Sequence, residues 1–218
     1  IASGVVDAAV ACGVEDMSQV PMGASLARGL NVGKAVPKSY FASYEFTSQF
    51  EAAERIADKW GLTRQDADEL GLRSQQLAAA AWAEDRFGTQ IVPIDAPDLD
   101  EEGKPTGTTH LVERDEGLRE TSLDVLAGLK PVARPDGVHT AGSASQISDG
   151  AAAVLLMNAA TARSLGVEPR ARIVDTCLVG VDPVLMLTGP IDATRRLLSR
   201  TGMTLSDIDL TEINEAFA

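Results

Sequence analysis

Asn214-Glu215-Ala216-Phe217 stands at the end of the sequence, directly after the short apolar run of residues 209–213. In α/β enzymes, polar side chains that follow a strand lie at the carboxyl edge of the sheet, where ligands bind. We therefore predict that residues 209–213 form a strand and that Asn214 lies at its mouth. Such a motif ordinarily leads into a helix, so we expect the 218 residues to be the central part of a longer enzyme.

Composition and charge exclude several classes of protein. The chain is 44% hydrophobic and 23% charged, which is typical of a folded protein of one or two domains. Aromatic residues make up only 4%, so Ala, Val, Ile and Leu must supply the core. The net charge of −13 argues against a nucleic-acid partner. No segment resembles a signal peptide or a membrane span, which predicts a cytoplasmic protein with no membrane partner.

The acidic residues are unevenly distributed. Residues 17–44 contain none, and Arg28, Lys34 and Lys38 lie within this stretch. One interpretation is a solvated loop with three bases. The other is a local positive surface for an anionic ligand or a neighbouring subunit.

The cysteines and histidines do not have metal-ligand spacing. Cys12 and Cys177 lie far apart in apolar runs, which predicts small buried residues and no disulfide. His110 and His139 have no Cys or Glu-x-x-His pattern beside them, and the acidic residues 95–102 are typical of a solvated turn. We predict no metal site.

Periodicity and cap residues predict an α/β chain interrupted by a helical insertion over residues 49–131. Small apolar residues predict a buried strand at residues 7–12, as in parallel sheets, and a buried strand or closely packed element at residues 151–157. A surface hairpin is predicted from residues 91–94 and 108–112. Further strands are predicted at 172–179 and 209–213, and helices at 50–60, 64–87, 123–129, 159–165 and 190–201.

Residues 139–150 contain almost no large side chain. A run of Gly, Ala and Ser allows another backbone, or a ligand, to approach the chain closely. A tight turn explains only part of twelve such residues.

Four motifs in this order resemble those of the thiolase family, the enzymes that make or cleave 3-ketoacyl-CoA. Cys12 stands where the first motif has its first glycine, and Ser143 stands where the second has asparagine. Within the family, the insertion most resembles thiolases of bacterial steroid degradation. The motifs are Gly13-Val14-Glu15-Asp16-Met17-Ser18, Thr140-Ala141-Gly142-Ser143-Ala144-Ser145 with Ser148-Asp149-Gly150-Ala151-Ala152, Gly189-Pro190 and Asn214-Glu215-Ala216-Phe217.

The resemblance implies the thiolase fold, in which two similar α/β halves stack as α-β-α-β-α layers. Residues 1–18 and 148–169 would then belong to the N-terminal half. Residues 19–147 would be the inserted loop domain that covers CoA, and residues 170–218 would begin the C-terminal half.

The resemblance also implies an acyltransferase that works through a cysteine acyl-enzyme, with coenzyme A as substrate and no further cofactor. The nucleophilic cysteine would precede Ile1, and the catalytic histidine and second cysteine would follow Ala218. All three would be absent from these residues, so we expect the 218-residue chain to be inactive alone. Cys12 and Cys177 match neither catalytic position.

The catalytic residue that remains is Asn214, which in the resembling enzymes holds a water that donates to the thioester oxygen; the alternative is a strand-end cap. Ala144 and Ser145 would line the pantetheine wall. Phe217 would line the same channel or be a core aromatic. Arg119 would bind the nucleotide end of CoA, or pair on the surface with Glu116 or Glu120.

Two other classes of function are open. One is a non-catalytic thiolase-like protein that binds acyl-CoA. The other is a ketosynthase, although such enzymes generally carry histidine where this chain has Asn214. The family resemblance also implies a homodimer or homotetramer, with residues 17–44 as the candidate contact between subunits.

Overall fold

The computed structural model describes residues 1–24 and 35–218. Arg28 and Lys34 lie outside these residues, and Lys38 is exposed. The chain divides into two compact units, residues 1–56 with 147–214 and residues 57–146 with 215–218. The elements are β1 (Ala8–Glu15), α1 (Tyr40–Ser43), α2 (Gln49–Trp60), α3 (Arg64–Ala83), β2 (Ile94–Leu99), β3 (Pro105–Val112), α4 (Leu123–Ala127), β4 (Gly150–Met157), α5 (Ala159–Leu165), α6 (Gly189–Thr201) and a 3₁₀ turn (Leu205–Asp207).

The sheet of the first unit consists of β1 and β4. They pair antiparallel, in a register that runs from Ala8 opposite Met157 to Glu15 opposite Gly150. Strands were predicted at both places, but the expectation that they are buried is wrong, since Val10 and Val154 are 62% and 56% exposed. The parallel arrangement expected for residues 7–12 is also wrong, because the pair is antiparallel. Small apolar residues indicate that a segment tolerates close packing. They do not determine whether a partner strand that is far away in sequence runs parallel or antiparallel.

The helices of the first unit begin and end where the cap residues predict. Asn158 caps α5 by accepting from the Thr161 N–H at 2.8 Å, and Gly166 ends it with φ 66°. Pro190 occupies the first turn of α6, and Gly202 follows its last turn with φ 72°. These predictions are confirmed, because a cap acts within one turn of the backbone.

The predicted strands at residues 172–179 and 209–213 are wrong. Both segments are irregular, and Leu178 and Leu210 are each 92% exposed. Among the described residues neither segment pairs with another strand, and a strand needs a neighbour for its backbone groups. In the segment 172–179, side chains of α6 bind backbone carbonyls in place of a neighbouring strand. Arg196 donates to the Leu178 carbonyl at 3.0 Å, and Arg200 donates to the Thr176 carbonyl at 3.1 Å.

Helix α3 organises the second unit. Thr63 caps its start through a capping box with Asp66, which confirms the predicted N-cap. The helix ends at Ala83, earlier than the predicted residue 87. The Arg64 side chain ties α3 to the end of α4, because it donates to the carbonyls of Leu126 and Leu129. The predicted hairpin forms as the antiparallel pair β2–β3, but the predicted bounds of its first strand are wrong. Strand β2 shares only Ile94 with the predicted 91–94 and continues to Leu99, through residues that were assigned to the solvated turn.

Alanine supplies almost all of the core. Among the described residues the only large aliphatic side chain that is buried is Leu126, whereas six alanines are buried. The expectation that Val, Ile and Leu share the core is therefore wrong for this structure. Alanine permits close backbone approach, and the larger aliphatic residues other than Leu126 are half-buried or exposed in the described part of the chain. The buried alanines are Ala52, Ala53, Ala57, Ala67, Ala81 and Ala162.

The capping box makes the stability of α3 depend on pH. The Thr63 hydroxyl, followed by the Thr63 backbone N–H, holds the pKa of Asp66 below its ordinary 3.8. Because the folded state has the lower pKa, this stabilisation is present above 3.8 and is lost as the pH falls through the folded value. We expect Asp66→Asn, which keeps one acceptor oxygen but does not titrate, to lessen the loss of thermal stability between about pH 6 and about pH 3. Glu69→Gln is the control within α3, and an equal effect of both changes would contradict the prediction.

Candidate functional site

The small-residue segment 139–150 begins with a buried polar turn. The Thr140 N–H donates to Ser143 Oγ at 3.0 Å, and the Ser143 N–H donates to the Thr140 carbonyl at 3.1 Å. The Gly142 N–H donates to Thr140 Oγ1 at 3.1 Å. Thr140 is fully buried and Ser143 is 5% exposed. Ser143 therefore closes the turn internally, a role that the sequence did not indicate.

This segment pairs with the final residues of the chain. Ala144 and Phe217 form an antiparallel bridge, flanked by bonds from the Ser145 N–H to the Ala216 carbonyl at 3.0 Å and from the Ala218 N–H to the Ser143 carbonyl at 2.8 Å. The structure thus brings together three predicted site residues, Ala144, Ser145 and Phe217. They come from two motifs that lie far apart in sequence.

Glu215 is held at both its backbone and its side chain. Ser145 Oγ donates to the Glu215 carbonyl at 2.8 Å, and Ser74 Oγ donates to its carboxylate at 2.8 Å. Ser74 lies on α3, where nothing in the sequence marked it as part of a site. A serine on a helix has no local signature when its partner is 141 residues away.

Phe217 is half-buried and packs against His139. The two ring centroids lie 5.3 Å apart at an interplanar angle of 57°, and His139 is 6% exposed. His139 is therefore a packing partner of the predicted site aromatic. Whether Phe217 also lines a pantetheine channel stays a prediction.

Asn214 is exposed and immediately precedes Glu215 in the chain. It does not follow a strand, which corrects the predicted placement. An exposed carboxamide remains accessible to water, as the proposed role requires. That role stays a prediction.

Arg119 is exposed and hydrogen-bonds main-chain groups. Its Nη1 donates to the Glu116 carbonyl at 2.8 Å and to the Leu118 carbonyl at 3.3 Å. In the described part of the chain no carboxylate pairs with it, so neither Glu116 nor Glu120 forms the alternative ion pair. The Arg119 N–H donates to Gln75 Oε1 on α3 at 2.9 Å.

Two further motifs of the sequence meet in the first unit. The Ser18 N–H donates to Asp149 Oδ1 at 2.9 Å, which joins the segment 13–18 to the segment 148–152. The Ser18 hydroxyl, followed by the Ser18 and Met17 backbone N–H groups, lowers the pKa of Asp149. The carboxylate form of Asp149 is therefore favoured and holds these residues together.

The two cysteines are free and differ in surroundings. Cys12 is exposed on β1, so the prediction of a buried residue is wrong there. Cys177 is half-buried, and its Sγ donates to the Ala193 carbonyl at 3.5 Å.

His110 Nδ1 lies 2.7 Å from Asp98 Oδ1 across the β2–β3 hairpin. Across residues 1–24 and 35–218, no group of three or more His, Cys, Asp or Glu is placed to hold a metal ion.

Within the same residues, no helix combines the length and the apolar character that a membrane span requires.

Two family models match the chain: the thiolase N-terminal domain over residues 1–160 and the thiolase C-terminal domain over residues 167–218. A 3-ketoacyl-CoA thiolase of Bacillus subtilis is 41% identical, with 99% of this chain and 54% of the relative covered. A steroid 3-ketoacyl-CoA thiolase of Mycobacterium tuberculosis is 42% identical, with 100% of this chain and 52% of the relative covered. The chain therefore spans about half the length of these relatives.

Solved structures agree with the sequence relatives. An acetyl-CoA acetyltransferase from Syntrophomonas wolfei superposes with a TM-score of 0.79 at 34% identity, covering 99% of this chain and 54% of that one. The dimeric peroxisomal thiolase of Saccharomyces cerevisiae superposes with a TM-score of 0.81 at 32% identity, covering 99% and 52%.

Proposed function

Because the chain belongs to the thiolase family, we propose that the protein transfers acyl groups between 3-ketoacyl-CoA and CoA through a cysteine acyl-enzyme. The family is established, and its fold is the thiolase fold. The division of the chain among the parts of this fold remains a proposal. It assigns residues 1–18 and 148–169 to the N-terminal half, residues 19–147 to the inserted loop domain and residues 170–218 to the start of the C-terminal half. The observation that carries the functional proposal is the pairing of Ala144 and Ser145 with the final residues of the chain.

The proposed reaction has two halves. A cysteine thiolate attacks the keto carbon of the substrate, the bond to the α-carbon breaks, and the acetyl-CoA enolate that leaves takes up a proton. The CoA thiol then loses a proton, which balances the one that the enolate took up, and its sulfur attacks the acyl carbon. The bond between this carbon and the cysteine sulfur breaks, which restores the cysteine thiolate. The resemblance places this cysteine, the histidine and the second cysteine outside the 218 residues, so Cys12 and Cys177 are assigned no catalytic role.

Asn214 is proposed to hold the water that donates to the thioester oxygen. Negative charge grows on this oxygen as the enolate forms, so a donor that is already in place lowers the barrier. The exposed position of Asn214 and the anchoring of the next residue, Glu215, by Ser74 and Ser145 support this assignment.

The CoA contacts are proposed for Ala144, Ser145, Phe217 and Arg119. The bridge between Ala144 and Phe217 supports a common wall for pantetheine. Arg119 supplies an exposed cation within an acidic protein, and a guanidinium binds phosphate through two parallel N–H bonds. No metal or additional cofactor is proposed.

The test is thiolysis of acetoacetyl-CoA by the complete natural polypeptide, which we call the source polypeptide. We expect turnover, and we expect iodoacetamide to abolish it by alkylating the nucleophilic cysteine. Binding of acetoacetyl-CoA without turnover would favour the non-catalytic alternative. Absence of both binding and turnover would overturn the proposed function.

The 218-residue chain alone is expected to give no thiolysis above background, because the nucleophile's segment is assigned elsewhere. The assay uses acetoacetyl-CoA with CoA, and the source polypeptide is its positive control. Turnover by the 218 residues alone would show that this assignment of the nucleophile is wrong.

The remaining partner and location assignments are also proposals. A homodimer or homotetramer is proposed from the family, in which the yeast relative is dimeric. A steroid 3-ketoacyl-CoA is one candidate substrate, since the Mycobacterium tuberculosis relative is named a steroid 3-ketoacyl-CoA thiolase. A short-chain substrate is another, since a 42% identical relative from Pseudomonas aeruginosa is named acetyl-CoA acetyltransferase. A cytoplasmic location is proposed as well.

A further inference from the structure

Two dipeptides, Ser74-Gln75 on α3 and Ser145-Gln146 after the buried turn, contact the same two segments of the second unit. We call them the polar bracket. Both serines bind Glu215, as described above. Both glutamines bind residues 115–119, the cation loop: Gln75 accepts from the Arg119 N–H at 2.9 Å, and Gln146 Nε2 donates to the Gly117 carbonyl.

The glutamines fix the backbone of the cation loop at two points, the Gly117 carbonyl within its turn and the Arg119 N–H after the turn. The turn itself forms as the Gly117 N–H donates to Asp115 Oδ1 at 2.7 Å. A Cβ on Gly117 would lie 2.8 Å from Gln146 Oε1 and 3.0 Å from Asp115 Oδ1, so the Gln146 side chain fills the space that a larger residue would need. The backbone from Asp115 to Arg119 is therefore constrained although it lies at the surface.

Among the described residues, the bonds within the loop use one nitrogen of the exposed Arg119 guanidinium and leave one edge of it without an acceptor. Nη1 is used by the carbonyls of Glu116 and Leu118. In the part of the chain that the structure describes, Nε and Nη2 meet no acceptor. This is the pair of donors that binds phosphate or carboxylate in a bidentate manner.

We propose that Gln75 and Gln146 are positioning residues that present the Nε–Nη2 edge of Arg119 to the phosphate groups of CoA. The proposal rests on the proposed function, since it needs CoA as the ligand. It adds two residues that do not touch the ligand themselves. Holding a long side chain in its binding geometry lessens the ordering cost of association.

Gln75→Met, which keeps the length of the side chain but removes the acceptor, tests the proposal. We expect CoA to bind about 3- to 10-fold more weakly, the effect of one neutral hydrogen bond, while pantetheine, which lacks the nucleotide, binds as it does to the wild type. In an Arg119→Ala background the same change should have no further effect. Amide hydrogen exchange at Arg119 should accelerate in Gln75→Met without any ligand.

Ser74→Ala is the matched control, because it changes the neighbouring residue of the bracket and leaves the cation loop intact; its CoA-to-pantetheine affinity ratio should match the wild type. Gln146→Met should reproduce the Gln75→Met result, and it replaces that variant if the latter does not fold. Equal losses for CoA and pantetheine, an unchanged CoA affinity, or additivity with Arg119→Ala would each overturn the proposal. A wild-type source polypeptide that does not bind CoA would instead contradict the proposed function, and this inference with it.

Discussion

Asn214→Ala in the source polypeptide is expected to lower kcat for thiolysis of acetoacetyl-CoA by about a hundredfold, the lower end of the range for loss of an oxyanion donor. The effect stays within this range because a water-mediated hydrogen bond is nearly as strong as a direct one. It falls at the lower end because the donor is a water that Asn214 orients, and removal of the carboxamide does not remove the water itself. The charge on the thioester oxygen develops only as the carbon–carbon bond breaks. KM should therefore change much less than kcat.

A measurement of kcat, KM and thermal unfolding separates this role from that of a cap. If Asn214 only caps the chain, its removal lowers the unfolding temperature without a selective loss in kcat. Glu212→Gln is the control, since Glu212 is an exposed residue of the same irregular segment. A kcat for Asn214→Ala within about threefold of the wild type would exclude oxyanion stabilisation, which accounts for at least about 2.7 kcal/mol where it has been measured.

Local signals in this sequence predict structure well because their physics is local. Thr63 and Asn158 satisfy backbone N–H groups within one turn, and Gly166 and Gly202 adopt the left-handed conformation at helix ends. None of these depends on a distant partner. These helix starts and stops could therefore be derived from single residues, whereas the end of α3 at Ala83 could not.

Strand predictions failed where pairing was needed. Residues 172–179 and 209–213 have the apolar composition of strands, yet among the described residues they have no strand beside them. Similarly, the direction of the β1–β4 pair depends on a connection of more than a hundred residues. Composition indicates which segments tolerate a sheet, whereas hydrogen-bond partners decide whether a strand forms.

The candidate site divides in the same manner. Ala144, Ser145, Phe217 and Asn214 were identified because motifs carry them, and the structure pairs the first three. Arg119 lies in no motif and was assigned from the family resemblance. The glutamines and Ser74 of the polar bracket were missed, since each acts on a segment that is 29 to 141 residues away. A polar residue on a helix has no sequence signature for a partner at that separation.

Gly71→Ala is expected to destabilise the protein, although alanine is the better helix former. A Cβ on Gly71 would collide with the carbonyl oxygen of Gly142, which is backbone and cannot rotate away. Overpacking costs about 1–3 kcal/mol, toward the upper value where backbone must shift, and the propensity gain offsets about 1 kcal/mol, so we expect a net loss of about 2 kcal/mol. For a chain of this size each kcal/mol lowers the unfolding temperature by about 2–4 °C.

The segment that carries Gly142 has little space in which to relieve this collision. A Cβ at Gly142 would meet Leu126 Cδ2 and would lie 3.0 Å from Leu129 Cδ1, and Leu126 is buried. Gly189→Ala is the matched control, because Gly189 begins α6 and has no atom within 4 Å of its Cβ position. The same substitution should there be neutral or stabilising by up to about 1 kcal/mol. Residues 143–145 follow Gly142 and pair with the final residues of the chain, so Gly71→Ala should also weaken CoA binding. Equal thermal stability of Gly71→Ala and Gly189→Ala would show that α3 does not approach Gly142 closely.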